Sequence, residues 1–234
     1  MTSTEAAAAV SVVIPVHNAA PYIAEALASV YAQDAGPLEV IVVDDGSSDG
    51  SLAVAEAGFP AIRTIRQEQA GIGAARNRGV EAARGEYLAF LDADDRWTAD
   101  RLRRLRAVFA SQPRLAMAFG LVRHFLCPTL PEEARRRLHC PDGLAPGFSA
   151  ASMLIRRESF LMVGAFDEGL RVGEFIDWLA RARDQGLTEV MLDEVVLERR
   201  IHQANSTLQR RQFFGDYAQL LKRTLDRRRA RPDP

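Results

Sequence analysis

The chain has 234 residues, 47% of them hydrophobic and 26% charged, with 30 basic and 31 acidic side chains. Those proportions exclude a disordered or low-complexity chain, and the near-balanced charge excludes the strong field that draws a protein onto nucleic acid. A chain of this size buries about 70% of its unfolded surface and needs no disulfide or structural metal to fold.

No apolar run approaches the ~20 residues of a membrane span. Residues 1–9 are alanine-rich, lack the basic start of a signal peptide and read as a disordered N-terminus, so a cytoplasmic protein is expected. Residues 10–16 form a buried-strand run, and Asn18 and Pro21 then open a helix with Ile23, Leu27 and Val30 on one face. A second buried strand over 38–43 ends at Asp44-Asp45-Gly46-Ser47-Ser48-Asp49, followed by a helix over 51–57 and a strand near 61–65. A helix over 71–83 is stopped by Gly85, and 86–91 is another buried strand. Apolar strands alternating with helices predict an α/β fold with a Rossmann-like, mostly parallel sheet covered on both faces. The ligand crevice of such a sheet lies beyond the carboxyl ends of its strands, so the polar clusters after Val16, Val43 and Leu91 should meet.

The second half is less regular. A helix over 98–111 and a strand over 115–122 precede a long loop or lid, 123–146, with four prolines. A strand over 148–155, a helix within 173–186, a strand over 190–197 and an arginine-rich helix and tail from 209 to 234 follow. His124, Cys127, His139 and Cys140 can be drawn as a zinc site, but their spacing matches no zinc module, and ordinary half-buried residues are expected.

Three carboxylates, Asp92, Asp94 and Asp95, directly follow a buried strand. Such crowding in a partly desolvated crevice calls for a cation or protons, and Mg²⁺ or Mn²⁺ suits a few carboxylates plus phosphate oxygens. Capping of the next helix by Asp95 or Thr98 would explain one of them. Asp44 and Asp45 sit at another strand end, where they could accept a base imide or a ribose hydroxyl, or close an Asx turn.

The residues 10–18 (VSVVIPVHN), 42–49 (VVDDGSSD), 74–79 (AARNRG) and 85–95 (GEYLAFLDADD) together resemble family 2 glycosyltransferases of the GT-A fold, in order and spacing across roughly residues 10–120. The resemblance implies one domain over 10–208, with a nucleotide-sugar half, 10–111, and an acceptor half, 112–208. It implies that Pro15, Val16 and His17 pack against the donor's base and that Asp45 hydrogen-bonds that base, usually uracil, with Asn18 and Asp44 as further donor-binding candidates. Arg76 would reach the base or diphosphate. Asp92, Ala93 and Asp94 would meet the ribose, sugar and metal, with Asp92, Asp94 and His202 as metal ligands. The acidic motif that supplies the catalytic base in such enzymes is often Glu-Asp; here Glu174 is followed by Phe175, so the base is Glu174 or Asp177, one turn apart.

The expected activity is inverting, metal-dependent sugar transfer from a nucleoside diphosphate donor, such as a UDP-sugar, to an unidentified glycan, lipid, peptide or metabolite. A homo-oligomer and peripheral membrane contact by the basic tail stay open. Gly71-Ile-Gly-Ala-Ala-Arg76 lacks the third glycine of a dinucleotide fingerprint, and no lysine-bearing triphosphate loop marks a nucleotidyltransferase. Phe175 keeps a non-catalytic nucleotide-sugar-binding relative as an alternative.

Overall fold

A computed structural model describes residues 10–34, 39–205, 217, 220, 222–224, 226 and 229. The expected disordered N-terminus, the first residue of the 38–43 strand and most of the basic tail lie outside the described residues.

In chain order the elements are β1 (Val10–Val16), α1 (Ile23–Tyr31), β2 (Glu39–Asp45), α2 (Ser51–Gly58), β3 (Arg63–Gln67), α3 (Ile72–Ala82), β4 (Tyr87–Phe90) and β5 (Arg96–Trp97). There follow α4 (Arg101–Ser111), β6 (Met117–Leu126), α5 (Glu132–Arg137), β7 (Leu144–Pro146), β8 (Leu154–Arg156), α6 (Arg157–Val163), α7 (Glu174–Asp184) and β9 (Glu189–Ile201). Among the described residues one sheet runs β3-β2-β1-β4-β8-β6-β9-β5, with β7 beside β6. Strands β3, β2, β1 and β4 are mutually parallel, as are β6 and β9, while β8, β5 and β7 run antiparallel to their neighbours.

Alternation along the strands divides the core between two faces. Val12, Ile14 and Val16 of β1 join Leu27 of α1 and Leu102 of α4, whereas Val13 joins Ala75 of α3 and Trp178 of α7. Helices therefore cover both faces, as the apolar strand runs require. No helix among the described residues is long and apolar enough to cross a membrane.

The second half departs from the sequence reading in several places. Residues 148–155 are not one strand: a 3₁₀ turn, Ala150–Ser152, precedes the short β8. The Ser152 hydroxyl donates to backbone carbonyls of Gly147 and Ser149, and such local side-chain bonds compete with a strand ladder. Strand β6 continues through Leu126 against β9, and β7 returns onto β6, so the expected long loop shrinks around the short α5. Helix α6 and the two-residue β5 were not foreseen, and β3 starts two residues later than expected. Neither Asp95 nor Thr98 caps α4. The helix begins at Arg101 after Asp100, the Thr98 hydroxyl donates to the carbonyl of Val195 at 2.8 Å, and Asp95 accepts the backbone N–H of Arg200 at 2.8 Å.

Gly79 sets how closely α3 lies on the sheet. A Cβ there would sit 2.2 Å from Cγ1 of the fully buried Val13. Alanine would favour the helix by about 1 kcal/mol, but overpacking a dense core costs about 1–3 kcal/mol. Gly79→Ala should therefore lower the urea midpoint, with a net loss of up to about 2 kcal/mol. An unchanged or raised midpoint would show that α3 can lift off β1 freely.

Candidate active site

The ends of β1, β2 and β4 converge on a crevice of about 380 Å³ whose wall includes Pro15, His17, Asn18, Asp45, Asp92 and Asp94. Val16 and Ala93 also line it. Two loops are laced together above β1 and β2. The backbone N–H of Asn18 donates to the Ser47 hydroxyl at 3.1 Å, and that of Ser48 donates to the Asn18 side-chain oxygen at 2.9 Å. Asn18 adopts a left-handed φ of 50°, which asparagine tolerates better than most residues. The ring of His17 lies 2.8 Å from the carbonyl of Asp45 through Nδ1, so Nδ1 carries the proton and Nε2 accepts from the amides of Asn18 and Gln69.

The two aspartates at the end of β2 separate. Asp44 accepts the Ser47 N–H at 3.0 Å in an Asx turn and does not line the crevice. Asp45 lines the crevice and is held rigidly. Its Oδ1 accepts Gln67 Nε2 and Ala70 N–H, both at 2.8 Å, and its Oδ2 accepts Gly71 N–H at 2.9 Å. Of roughly four lone-pair positions on a carboxylate, one on Oδ2 stays uncommitted to these partners.

Each carboxylate after β4 has its own partner. Asp92 Oδ1 accepts Arg76 at 2.7 Å; Asp94 Oδ2 accepts His202 Nε2–H at 2.9 Å and the Asn205 amide at 3.3 Å. Asp95 is buried, and burial together with the charges of Asp94 and Asp92 pushes its carboxyl well above the usual carboxylate range. The base of this turn is braced by Arg200, which donates through Nε to the Asp94 carbonyl at 2.8 Å and through its guanidinium to Glu25 at 2.5 Å.

Arg76, expected to reach the base or diphosphate, pairs with two carboxylates. Its guanidinium bridges Asp92 and Glu174, both at 2.7 Å, and it lines a second cavity of about 510 Å³. Burial alone would weaken its hold on the proton, but Asp92 and Glu174 outweigh burial and keep the pKa above the ordinary arginine value. The two cavities share Ile72, Asp92, Asp95 and Arg199, and Glu174 stands in the second.

Glu174 and Asp177, one turn apart on α7, pair with different arginines. Asp177 is buried and pairs with Arg181 at 2.8 Å, which in turn donates to the carbonyls of Val163 and Ala165 and so pins α7 to the end of α6. Phe175 packs against Phe119 and Trp178, so the position after Glu174 belongs to the core.

Mg²⁺ or Mn²⁺ was expected on Asp92, Asp94 and His202, but among the described residues no three His, Cys, Asp or Glu groups converge as a metal cage. Asp92 is committed to Arg76. Asp94 Oδ2 and His202 Nε2, 2.9 Å apart, do fit, because adjacent ligands of an octahedral ion with bonds near 2.1 Å lie ~3 Å apart. The remaining shell would be phosphate oxygens and water.

Comparison with known proteins gives a match to the family described as "Glycosyl transferase family 2" over residues 11–166. The chain belongs to glycosyl transferase family 2. This member is similar to the uncharacterised glycosyltransferase YibD of Escherichia coli, at 42% identity over 88 residues, covering 36% of this chain and 26% of YibD. It is also similar to the uncharacterised glycosyltransferase RT0329 of Rickettsia typhi, at 29% identity over 211 residues, covering 85% of this chain and 65% of that one. The chain thus spans less than two thirds of the length of these relatives. Among solved structures, S. aureus TarS (residues 1–349) in complex with UDP-GlcNAc superposes with a TM-score of 0.70 at 20% identity, covering 91% of this chain and 65% of that chain. The mannosyltransferase PcManGT from Pyrobaculum calidifontis, in complex with GDP-Man and Mn²⁺, does so with a TM-score of 0.68 at 21% identity, covering 98% and 67%. These likenesses establish the shared fold.

Tyr22, Gln69 and Asn205 also line the crevice and were not singled out from the sequence, whereas Arg199 and Arg200 were read only as part of the run that leads to His202. The signal for Asn205 was present: it follows His202 just beyond the end of β9.

Removing the Arg76 charge should be costly, because it leaves two carboxylates facing each other around a buried gap. Arg76→Met should lose about 3–5 kcal/mol in chemical denaturation. Adding Glu174→Gln should return part of that loss; two additive losses would show that the bridge is not the cause.

Proposed function

We propose that this glycosyl transferase family 2 member moves a sugar from a UDP-linked donor to an acceptor nucleophile with inversion at the anomeric carbon. The observation that carries this reading is the pair of cavities meeting at Asp92, with Glu174 on the second-cavity side and the Asp94–His202 pair in the first. The first cavity suits the donor. His17 and Asn18 are fixed by the loops, and the remaining lone pair of Asp45 can accept the imide N–H of a uracil. The UDP, UDP-GlcNAc and GDP-Man bound by the structural neighbours support a nucleotide-sugar here.

Glu174 is the base in this reading. Arg76 holds its Oε1 and fixes the carboxylate, while Oε2 takes the proton from an acceptor hydroxyl. The acceptor oxygen then bonds to the anomeric carbon on the face opposite the diphosphate. The bond from that carbon to the diphosphate oxygen breaks, and its electron pair leaves on UDP. When held by Asp94 and His202, Mg²⁺ or Mn²⁺ supplies the positive charge that stabilises the departing diphosphate. Asp177 supports α7 through Arg181 and takes no proton.

Two measurements test this. Glu174→Gln should lower kcat by ~10²–10⁴ and leave UDP affinity unchanged, whereas Asp177→Asn should retain turnover and lose stability. The reverse pattern would transfer the base role to Asp177. In calorimetry, UDP should bind tightly with Mg²⁺, weakly in EDTA, and weakly in both for Asp94→Asn. Equal affinity in EDTA refutes the metal role, and tighter binding of GDP than of UDP refutes the uridine assignment.

A further inference from the structure

Two residues from late in the chain, Tyr217 and Leu220, lie against the start of α7 beside the second cavity. Tyr217 lines that cavity together with Phe148, Ile176, His124 and Glu174. Gly173 makes the contact close. It lies immediately before Glu174 with a left-handed φ of 81°, and a Cβ there would sit 3.0 Å from Leu220 and 3.4 Å from the Tyr217 ring. Leu220 is buried, and Arg223 reaches Asp167 at 3.2 Å, so the residues that follow Tyr217 hold it in this seat. Phe148, on the segment after β7, is braced edge-on by the core ring of Phe119 and carries the Arg183 guanidinium 5.0 Å from its centroid. Tyr217 and Phe148 are nonetheless 37% and 45% exposed, unusually open for aromatic rings in a folded domain.

Resting on the sugar-transfer reading, we propose that Tyr217 and Phe148 form an aromatic subsite that holds a sugar ring of the acceptor against Glu174, which makes the acceptor a glycan. A pyranose presents flat C–H faces and a rim of hydroxyls. Aromatic rings match the faces, and hydrogen-bonding side chains match the rim. The cavity supplies both kinds of group: its rings alternate with Glu174, His124 and Ser149. Burial and the Arg199 charge lower the pKa of His124, so its imidazole is neutral near pH 7 and able to accept a hydroxyl. A lipid chain would instead need an unbroken apolar channel, which these polar groups interrupt.

The full chain, with UDP and Mg²⁺ present, is titrated with the methyl glycosides of glucose, galactose, mannose and N-acetylglucosamine, and binding is followed by saturation-transfer NMR. At least one glycoside should bind the wild type and Tyr217→Phe alike, and ~5–10-fold more weakly to Tyr217→Ala and Phe148→Ala. A thermal shift on adding UDP checks that each variant is folded around the first cavity. Undiminished binding to both alanine variants overturns the proposal, as does absence of glycoside binding, or binding of farnesyl phosphate in place of every glycoside. Hydrolysis of UDP-sugars by the wild type is measured separately. If none is cleaved while a Tyr217-dependent glycoside signal persists, the sugar-transfer reading fails and the aromatic subsite stands.

Discussion

Three carboxylates within four residues at the end of β4 are the constraint around which the rest of the structure is arranged. Like charges this close repel by several kcal/mol once water is partly excluded, so each must be compensated separately. Asp92 takes the guanidinium of Arg76 from α3, and Asp94 takes the imidazole of His202 beyond β9. Asp95 takes the backbone N–H of Arg200 and tends toward its neutral form. The compensation comes from distant stretches of chain, and that is why α3 and β9 must both reach the crevice.

Arg76 joins the two halves. It touches the donor-side Asp92 and the α7 residue Glu174 with a single planar group, and a lysine could not span both in the same way. Helix α7 is fixed further by the Asp177–Arg181 pair and by Trp178, whose indole donates to the Gly164 carbonyl at 2.8 Å. A carboxylate held in this manner has one orientation, the property that a proton acceptor needs and a solvated surface glutamate lacks.

The parallel half was legible because its strands are buried on both faces and appear as unbroken apolar runs ending in polar clusters; β1, β2 and β4 fall within a residue or two of expectation. The second half was less so. Its segment around residues 148–156 is organised by serine hydroxyls bonding to nearby carbonyls, which leaves no periodicity to follow. Site residues were readable by type and less so by partner. Asp45, Asp92 and Asp94 could be placed at the crevice from their strand-end positions. That Arg76 faces carboxylates rather than a ligand, and that Asp44 closes a turn, depends on side-chain direction, which linear spacing does not encode.

The length of the chain between partners has a kinetic side. Strands β1, β2 and β3 pair over short sequence separations and can form while the rest of the chain is still being made. Arg200 meets Glu25 across 175 positions, and His202 meets Asp94 across 108. A nascent or truncated chain ending before β9 would hold a paired parallel sheet whose acidic turn has no neutralising lid, with the β6 edge open to other strands. In such a species the acidic turn lacks Arg200 and His202, so the crevice is completed only by residues made long after the strands that form its floor.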